Sequence, residues 1–205
     1  MSKIKLTKGE LKKQRDSLKQ FKRYLPTLQL KKQQLQMKIL EVRKWLEQRL
    51  SKLYEKDNGI KKWSGLLGDA EIDLKPWITP KNIKINRMNV AGADVPVFED
   101  LSFDQAEYDY FETPLWVDKG LEELRGVVRL ITEVEIIKKQ IAILEKELRT
   151  TTQRVNLFEK VKIPECQNNI RKIRIYLGDQ QANAVGVSKV AKKKVVERDL
   201  ALAEV

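Results

Sequence analysis

Two long stretches of this chain carry apolar residues in a three-four alternation, and that pattern constrains its fold more than any other feature. In the first stretch, about Leu6 to Lys56, the apolar positions are Leu11, Leu18, Phe21, Leu25, Leu28, Leu35, Ile39, Val42, Leu46 and Leu53. Lys, Arg, Gln and Glu fill most positions between them. A mean period of 3.5 residues keeps a narrow apolar line on one side of an α-helix, the pattern of a coiled-coil seam. A seam this narrow suits pairing with one helix, not burial in a wide core. Gln14, Lys32 and Arg49 also fall on seam positions, where polar side chains weaken pairing but fix its register. Pro26 lies inside the pattern and is expected to kink the helix, because it removes one backbone hydrogen bond and crowds the carbonyl four residues earlier.

The second stretch runs from about Pro114 to Leu177. Its seam is Leu130, Val134, Ile137, Ile141, Leu144, Leu148, Val155 and Phe158, interrupted only by Thr151. The register then slips by one residue near Pro164 and resumes as Ile163, Cys166, Ile170, Ile173 and Leu177. Such an insertion changes supercoiling locally, and Pro164 is expected to add a kink. Between the two stretches, Asn58-Gly59, Gly65, Gly68, Pro76, Pro80, Gly92 and Pro96 punctuate the chain too densely for helix. Ile83–Asn86 alternates, and Asp94–Phe98 reads as a strand whose Pro suits an edge.

The expected organisation is an N-terminal coiled-coil helix over 1–56, a middle region over 57–113 and a C-terminal coiled-coil helix over 114–178. A basic tail that can remain helical follows over 179–205. The fold class is mostly α: a long antiparallel two-helix coiled coil with a small irregular or β-hairpin middle region. Helices of ~50 residues at 1.5 Å per residue are ~75 Å or longer, so the reading is a rod with both termini near one tip.

The chemistry-bearing residues are few. The chain has 205 residues, one cysteine (Cys166) and no histidine. An internal disulfide, Cys/His zinc sites and histidine-based triads or bases are therefore excluded. Cys166 reads as a buried or half-buried helix residue. There is no P-loop and no G-x-G-x-x-G, and Gly65-Leu66-Leu67-Gly68-Asp69 reads as a loop. The acidic run Glu99, Asp100, Asp104, Glu107, Asp109 and Glu112 lacks EF-hand spacing and reads as a solvated or partner-docking face. Trp45, Trp63, Trp77 and Trp116 read as packing residues, not as a nucleic-acid stacking platform. No catalytic residue, metal or cofactor is expected. The N-terminus lacks an apolar signal region and no apolar run approaches ~20 residues, so a cytosolic chain with no membrane span is expected.

The formal net charge is +12, from 41 Lys and Arg against 29 Asp and Glu. An excess of this size favours an acidic partner, whether nucleic acid, anionic lipid or an acidic protein surface. Basic residues spread along both helices among acids, which speaks against a nucleic-acid stripe. Lys192-Lys193-Lys194 is the densest run in the tail.

One motif is specific. Arg154, Val155, Asn156, Glu159, Ile163 and Pro164 fill all six defined positions of an Arg-Val-Asn-x-x-Glu-x-x-x-Ile-Pro pattern. This pattern resembles the C-terminal helix signature of the D subunits of V-type and archaeal-type ATP synthases. Leu6-Thr7-Lys8-Gly9-Glu10-Leu11 looks like that family's N-terminal helix, and Val95-Pro96-Val97-Phe98 like its middle region. The Gln-rich N-terminal seam points to a divergent, bacterial branch.

The resemblance implies a non-catalytic central rotor stalk that transmits torque between the A/B catalytic hexamer and the membrane ion-translocating ring. Its implied partners are the A, B and F subunits and a membrane-side socket protein (C/d), on the cytoplasmic face of the membrane. It makes the six motif residues candidate partner contacts and Lys192, Lys193 and Lys194 candidate hexamer contacts. The competing reading is a basic coiled-coil scaffold, or a protein that binds nucleic acid or a membrane surface.

Overall fold

The computed structural model describes residues 4–68, 73–109, 111 and 113–203. Helix α1 spans Lys8–Lys61, and a 3-10 turn follows over Ser64–Leu67. A short helix α2 spans Lys75–Ile78, strand β1 Pro80–Val90 and strand β2 Ala93–Phe103. Helix α3 spans Trp116–Asn156, a π-helical turn covers Leu157–Lys162, and helix α4 spans Ile163–Ala203. The fold is mostly α, with long N- and C-terminal helices and a two-stranded antiparallel sheet between them. Every seam position named above is buried or half-buried.

The chain divides into two compact units. One comprises residues 30–152 and the other residues 1–29 with 153–205. In the 30–152 unit, α1 and α3 run antiparallel, tied by Lys31–Glu147 at 2.7 Å, Arg43–Glu145 at 2.6 Å and Arg49–Glu133 at 2.7 Å. The Arg49 pair explains one polar seam position, since its charge finds a carboxylate on the facing helix. The core joins three elements: Leu35, Ile39 and Val42 of α1, Ala93 and Val95 of β2, and Ile137 and Leu144 of α3. Full burial of one such aliphatic side chain stabilises by about 1.5–3 kcal/mol. Ile136 and Gln140 lie off the α3 seam yet are buried. They line a cleft with Val97 and Phe98 of β2, so the hairpin widens the buried face beyond a two-helix seam and covers the Gln140 amide, whose nitrogen has no hydrogen-bond partner among the described residues.

The hairpin is longer than the alternation suggests. Pairing runs from Val90↔Ala93 at the turn to Pro80↔Phe103, with irregularities between Pro80 and Asn82 and between Lys84 and Ile85. Ala91 and Gly92 both have positive φ, 50° and 82°, as a two-residue primed turn requires. Asn89 holds that turn: its Oδ1 accepts from the Gly92 N–H at 3.0 Å and its Nδ2 donates to Asp94 at 2.6 Å. Pro96 is tolerated because both strands of a two-stranded sheet are edges.

One helix end differs from expectation, and the tail is helical. Helix α1 continues through Asn58-Gly59 to Lys61 instead of ending near Lys56. A helical Gly costs about 1 kcal/mol relative to Ala, too little to end a helix whose next residues pack. Residues 57–60 are half-buried, and Asp57 and Lys61 form an i,i+4 ion pair at 2.6 Å. Helix also persists through Gly178 and Gly186, so no break in secondary structure separates 114–178 from the tail. Helix α1 likewise continues through Pro26. The cost there is the missing Pro26 N–H, which removes one i to i−4 hydrogen bond from the helix.

Candidate functional site

The second unit, residues 1–29 and 153–205, contains every motif residue. Here α1 runs antiparallel to the end of the C-terminal helical run. Phe21 stacks against Phe158 at 5.1 Å between ring centroids, and Asn169 Nδ2 faces Gln14 Oε1 at 3.5 Å. Val155, Cys166, Ile170 and Ile173 are its buried apolar residues.

The one-residue slip read from the seam is the π-helical turn. The Ile163 N–H donates to the Phe158 carbonyl five residues back. The same five-residue step separates the seam residues Phe158 and Ile163, so the wider turn absorbs the extra residue and keeps both on the seam. Pro164 follows at once, where its missing N–H and bulky ring suit a turn already departing from α geometry.

The motif therefore splits by direction. Val155 is buried and Ile163 and Pro164 are half-buried, so these three maintain the seam across the turn. Arg154, Asn156 and Glu159 are exposed, and no ion pair or hydrogen bond of their side chains occurs among the described residues. No hydrogen bond or ion pair among the described residues therefore accounts for their identity.

Charge is distributed unevenly. Residues 30–152 hold 21 basic and 21 acidic side chains and are neutral. Residues 1–29 and 153–205 hold 20 basic against 8 acidic, so the whole excess of +12 lies in this unit. Basic residues occur along both helices, 20 in this unit and 21 in the other; what differs between the units is the number of acids. The signal that shows it is the charge summed by region instead of along each helix. Five of this unit's cations meet at one open groove of about 660 Å³, where Arg15, Lys19 and Lys22 of α1 face Arg171 and Arg174 of α4.

Beyond the seam, residues 178–198 of α4 are all exposed. Lys192, Lys193 and Lys194 lie here. Lys193 reaches Glu197 at 3.7 Å, a contact too exposed to neutralise the run.

The remaining candidates are taken up by structure. Asp100 pairs with Arg129, and Asp104 pairs with Lys81. The hydrogen bond to Asp104 raises the Lys81 pKa. Asp109 accepts from the Phe111 N–H at 2.8 Å. Glu112 and Asp69 lie outside the described residues. Among the described residues no group of three or more Cys, Asp or Glu is placed to hold a metal ion. Trp63 packs on Trp116 at 6.0 Å and donates to Glu123 at 2.9 Å, Trp77 packs on Tyr108 at 5.2 Å, and the Lys38 ammonium sits over Trp45 at 5.6 Å. Cys166 is buried, and desolvation, seconded by the Glu165 carboxylate, pushes its thiol pKa up, away from nucleophilic use. Among the described residues no helix is long and apolar enough to cross a membrane.

Comparison with known proteins points one way. The family model for the ATP synthase D subunit matches residues 10–193. The V-type ATP synthase D subunit of Borreliella burgdorferi is 46% identical over 199 residues, covering 97% of this chain and 98% of that protein. The protein of the same name from Chlamydia abortus is 34% identical over 202 residues, covering 96% of each. That of Chlamydia trachomatis serovar L2 is 32% identical over 203 residues, covering 95% of this chain and 97% of that protein.

Proposed function

Because the chain belongs to the family of ATP synthase D subunits, we propose that it is the non-catalytic central rotor stalk of a V-type ATP synthase. It transmits torque between the A/B catalytic hexamer and the membrane ion-translocating ring, on the cytoplasmic face of the membrane. Its partners in this reading are the A, B and F subunits and a membrane-side socket protein. The reading is carried by one observation: residues 178–198 form a continuous helix with every side chain exposed. A single helix with an unused surface, holding Val187 and Val190 at 70% and 58% exposure, fits a shaft end enclosed by other subunits.

In this reading ATP chemistry stays on the hexamer, and this chain needs stiffness along its seams and an asymmetric exterior. The exposed Arg154, Asn156 and Glu159, and the Lys192–Lys194 run, are its contact residues. The test is affinity isolation of the tagged full chain from native membranes solubilised in detergent. Recovery of A, B and F at defined stoichiometry is expected, and recovery of none of them overturns the reading. Charge reversal by K192E/K193E/K194E is expected to cut ATPase coupling by about tenfold or more, by setting like charges against an acidic lining. Unchanged coupling removes these lysines from the contact.

The concentrated charge also favours a second reading, a basic coil bound to nucleic acid or anionic lipid. That reading predicts steeply salt-dependent binding to duplex DNA or vesicles in place of subunit recovery.

A further inference from the structure

We propose that the groove between α1 and α4 in the 1–29/153–205 unit is a docking site for an acidic amphipathic segment of a neighbouring protein subunit. The inference rests on the rotor-stalk reading and assigns it a second contact, distinct from the Lys192–Lys194 run. Arg15, Lys19 and Lys22 stand at i, i+4 and i+7 on one helix, and Arg171 and Arg174 at i and i+3 on the other. All five are exposed, no acidic residue lines the groove, and none of the five has an ion pair among the described residues.

Leu18, Ile170 and Ile175 form the floor between these cations. Ile175 remains 56% exposed although an apolar neighbour is available on each helix. An apolar floor flanked on both sides by cations fits a segment with one apolar face and acidic flanks, the helix-in-groove mode of recognition. A polyanion such as duplex nucleic acid would use the cations but leave the apolar floor unused. The span of seven residues on α1 corresponds to ~10 Å along the helix, about two turns of a docked partner.

The contrast with the 30–152 unit supports a partner outside the chain. There the interhelical cations Lys31, Arg43 and Arg49 all meet carboxylates on the facing helix. Here the groove residues of the facing helix are also cations, and no carboxylate lines the groove to meet them.

The experiment reconstitutes the full chain with the other purified soluble subunits of its own ATP synthase over a range of salt concentrations. The variant K19Q/K22Q/R171Q/R174Q is compared with wild type and with K138Q/K139Q, which neutralises exposed cations of the balanced unit. The groove variant is expected to bind roughly tenfold more weakly at low salt, with the gap closing as salt rises. The control is expected to match wild type, and circular dichroism is expected to be unchanged in both.

Equal binding of the groove variant and wild type overturns the groove while the stalk reading stands. An equal loss in the K138Q/K139Q control overturns it too, since the effect is then bulk charge. Failure of the wild-type chain to assemble overturns the stalk reading and, with it, the groove's partner. Ile175→Ser removes only the apolar contact and is expected to weaken binding several-fold at all salt concentrations; no loss means the floor is not used and overturns the amphipathic partner. A photo-crosslinker at Gln167 in the assembled complex is expected to mark a segment rich in Asp and Glu. Marking of a neutral or basic segment, or a defect confined to binding of duplex DNA or anionic vesicles, overturns the assignment.

Discussion

The two units of this chain are built from the same seam and use it differently. In residues 30–152 the helix pair is covered by β2, so Leu35, Val42, Val95 and Leu144 are all completely buried. Its charges balance, and three ion pairs join the helices. In residues 1–29 and 153–205 the pair has no third layer, and among the described residues no ion pair joins its helices. It carries the whole net charge of the chain. A neutral, three-element unit pairs its interhelical charges within the chain. A two-helix seam with unmatched cations leaves polar and apolar surface for something else to cover.

Core truncation should break this comparison most strongly. Leu144→Ala is expected to cost about 3–5 kcal/mol, because three packed elements limit collapse around the cavity. Ile173→Ala in the uncovered unit is expected to cost about 2–3 kcal/mol, since two helices relax toward each other more easily. Urea unfolding of the full chain with both midpoints measured checks this. Equal losses would show that the hairpin adds no rigidity.

Asn169 sharpens the comparison by about 1 kcal/mol, the usual scale for one hydrogen-bonded polar group. It is buried in the seam, and its contact with Gln14 is long at 3.5 Å. Asn169→Leu is expected to raise thermal stability while loosening register, because a buried polar residue at a seam trades stability for alignment. A lowered melting temperature would mean the Asn169–Gln14 pair stabilises the seam outright.

Salt should separate the units by a smaller margin. Screening relieves self-repulsion in the +12 unit and weakens ion pairs in the neutral one. Amide exchange within 163–177 is expected to slow as salt rises, while exchange within 130–148 stays level or quickens. Parallel behaviour of both segments would break the electrostatic contrast.

The smallest effect concerns Cys166. Its thiol pKa is raised in the folded chain by desolvation first and by Glu165 second. A group whose folded pKa is raised contributes stability that is full below its unfolded pKa. That stability is lost as pH rises through the folded value. Wild type is therefore expected to lose stability relative to Cys166→Ser as pH climbs above about 8.5, the ordinary thiol range. Denaturation of both proteins from pH 7 upward checks the sign, and parallel curves would mean the thiol is not desolvated in solution.

Much of the fold is legible in residue periodicity. A 3.5-residue repeat fixes which side of each helix is covered, and every seam residue from Leu11 to Leu177 is covered as the repeat requires. The five-residue step from Phe158 to Ile163 is legible as a register slip, although periodicity does not say that a π turn absorbs it. The six motif residues are legible as a pattern. Which of them maintain the seam and which are presented outward is not, because that depends on the local turn.

Helix ends are less legible, since Asn58-Gly59 suggests a break that does not occur. Local propensity costs only about 1 kcal/mol there, and packing and helix cooperativity outweigh it. The burial of Ile136 and Gln140 is invisible in the seam because β2, distant in sequence, supplies it. The helical class, the seam and the total charge follow from spacing and composition along one chain. Which charges are matched, and which meet at one groove, is set by the packing of distant segments. Those outcomes depend on which residues antiparallel pairing sets face to face, as Arg15 and Lys19 with Arg171 and Arg174 on one groove and Arg49 with Glu133 in the covered core.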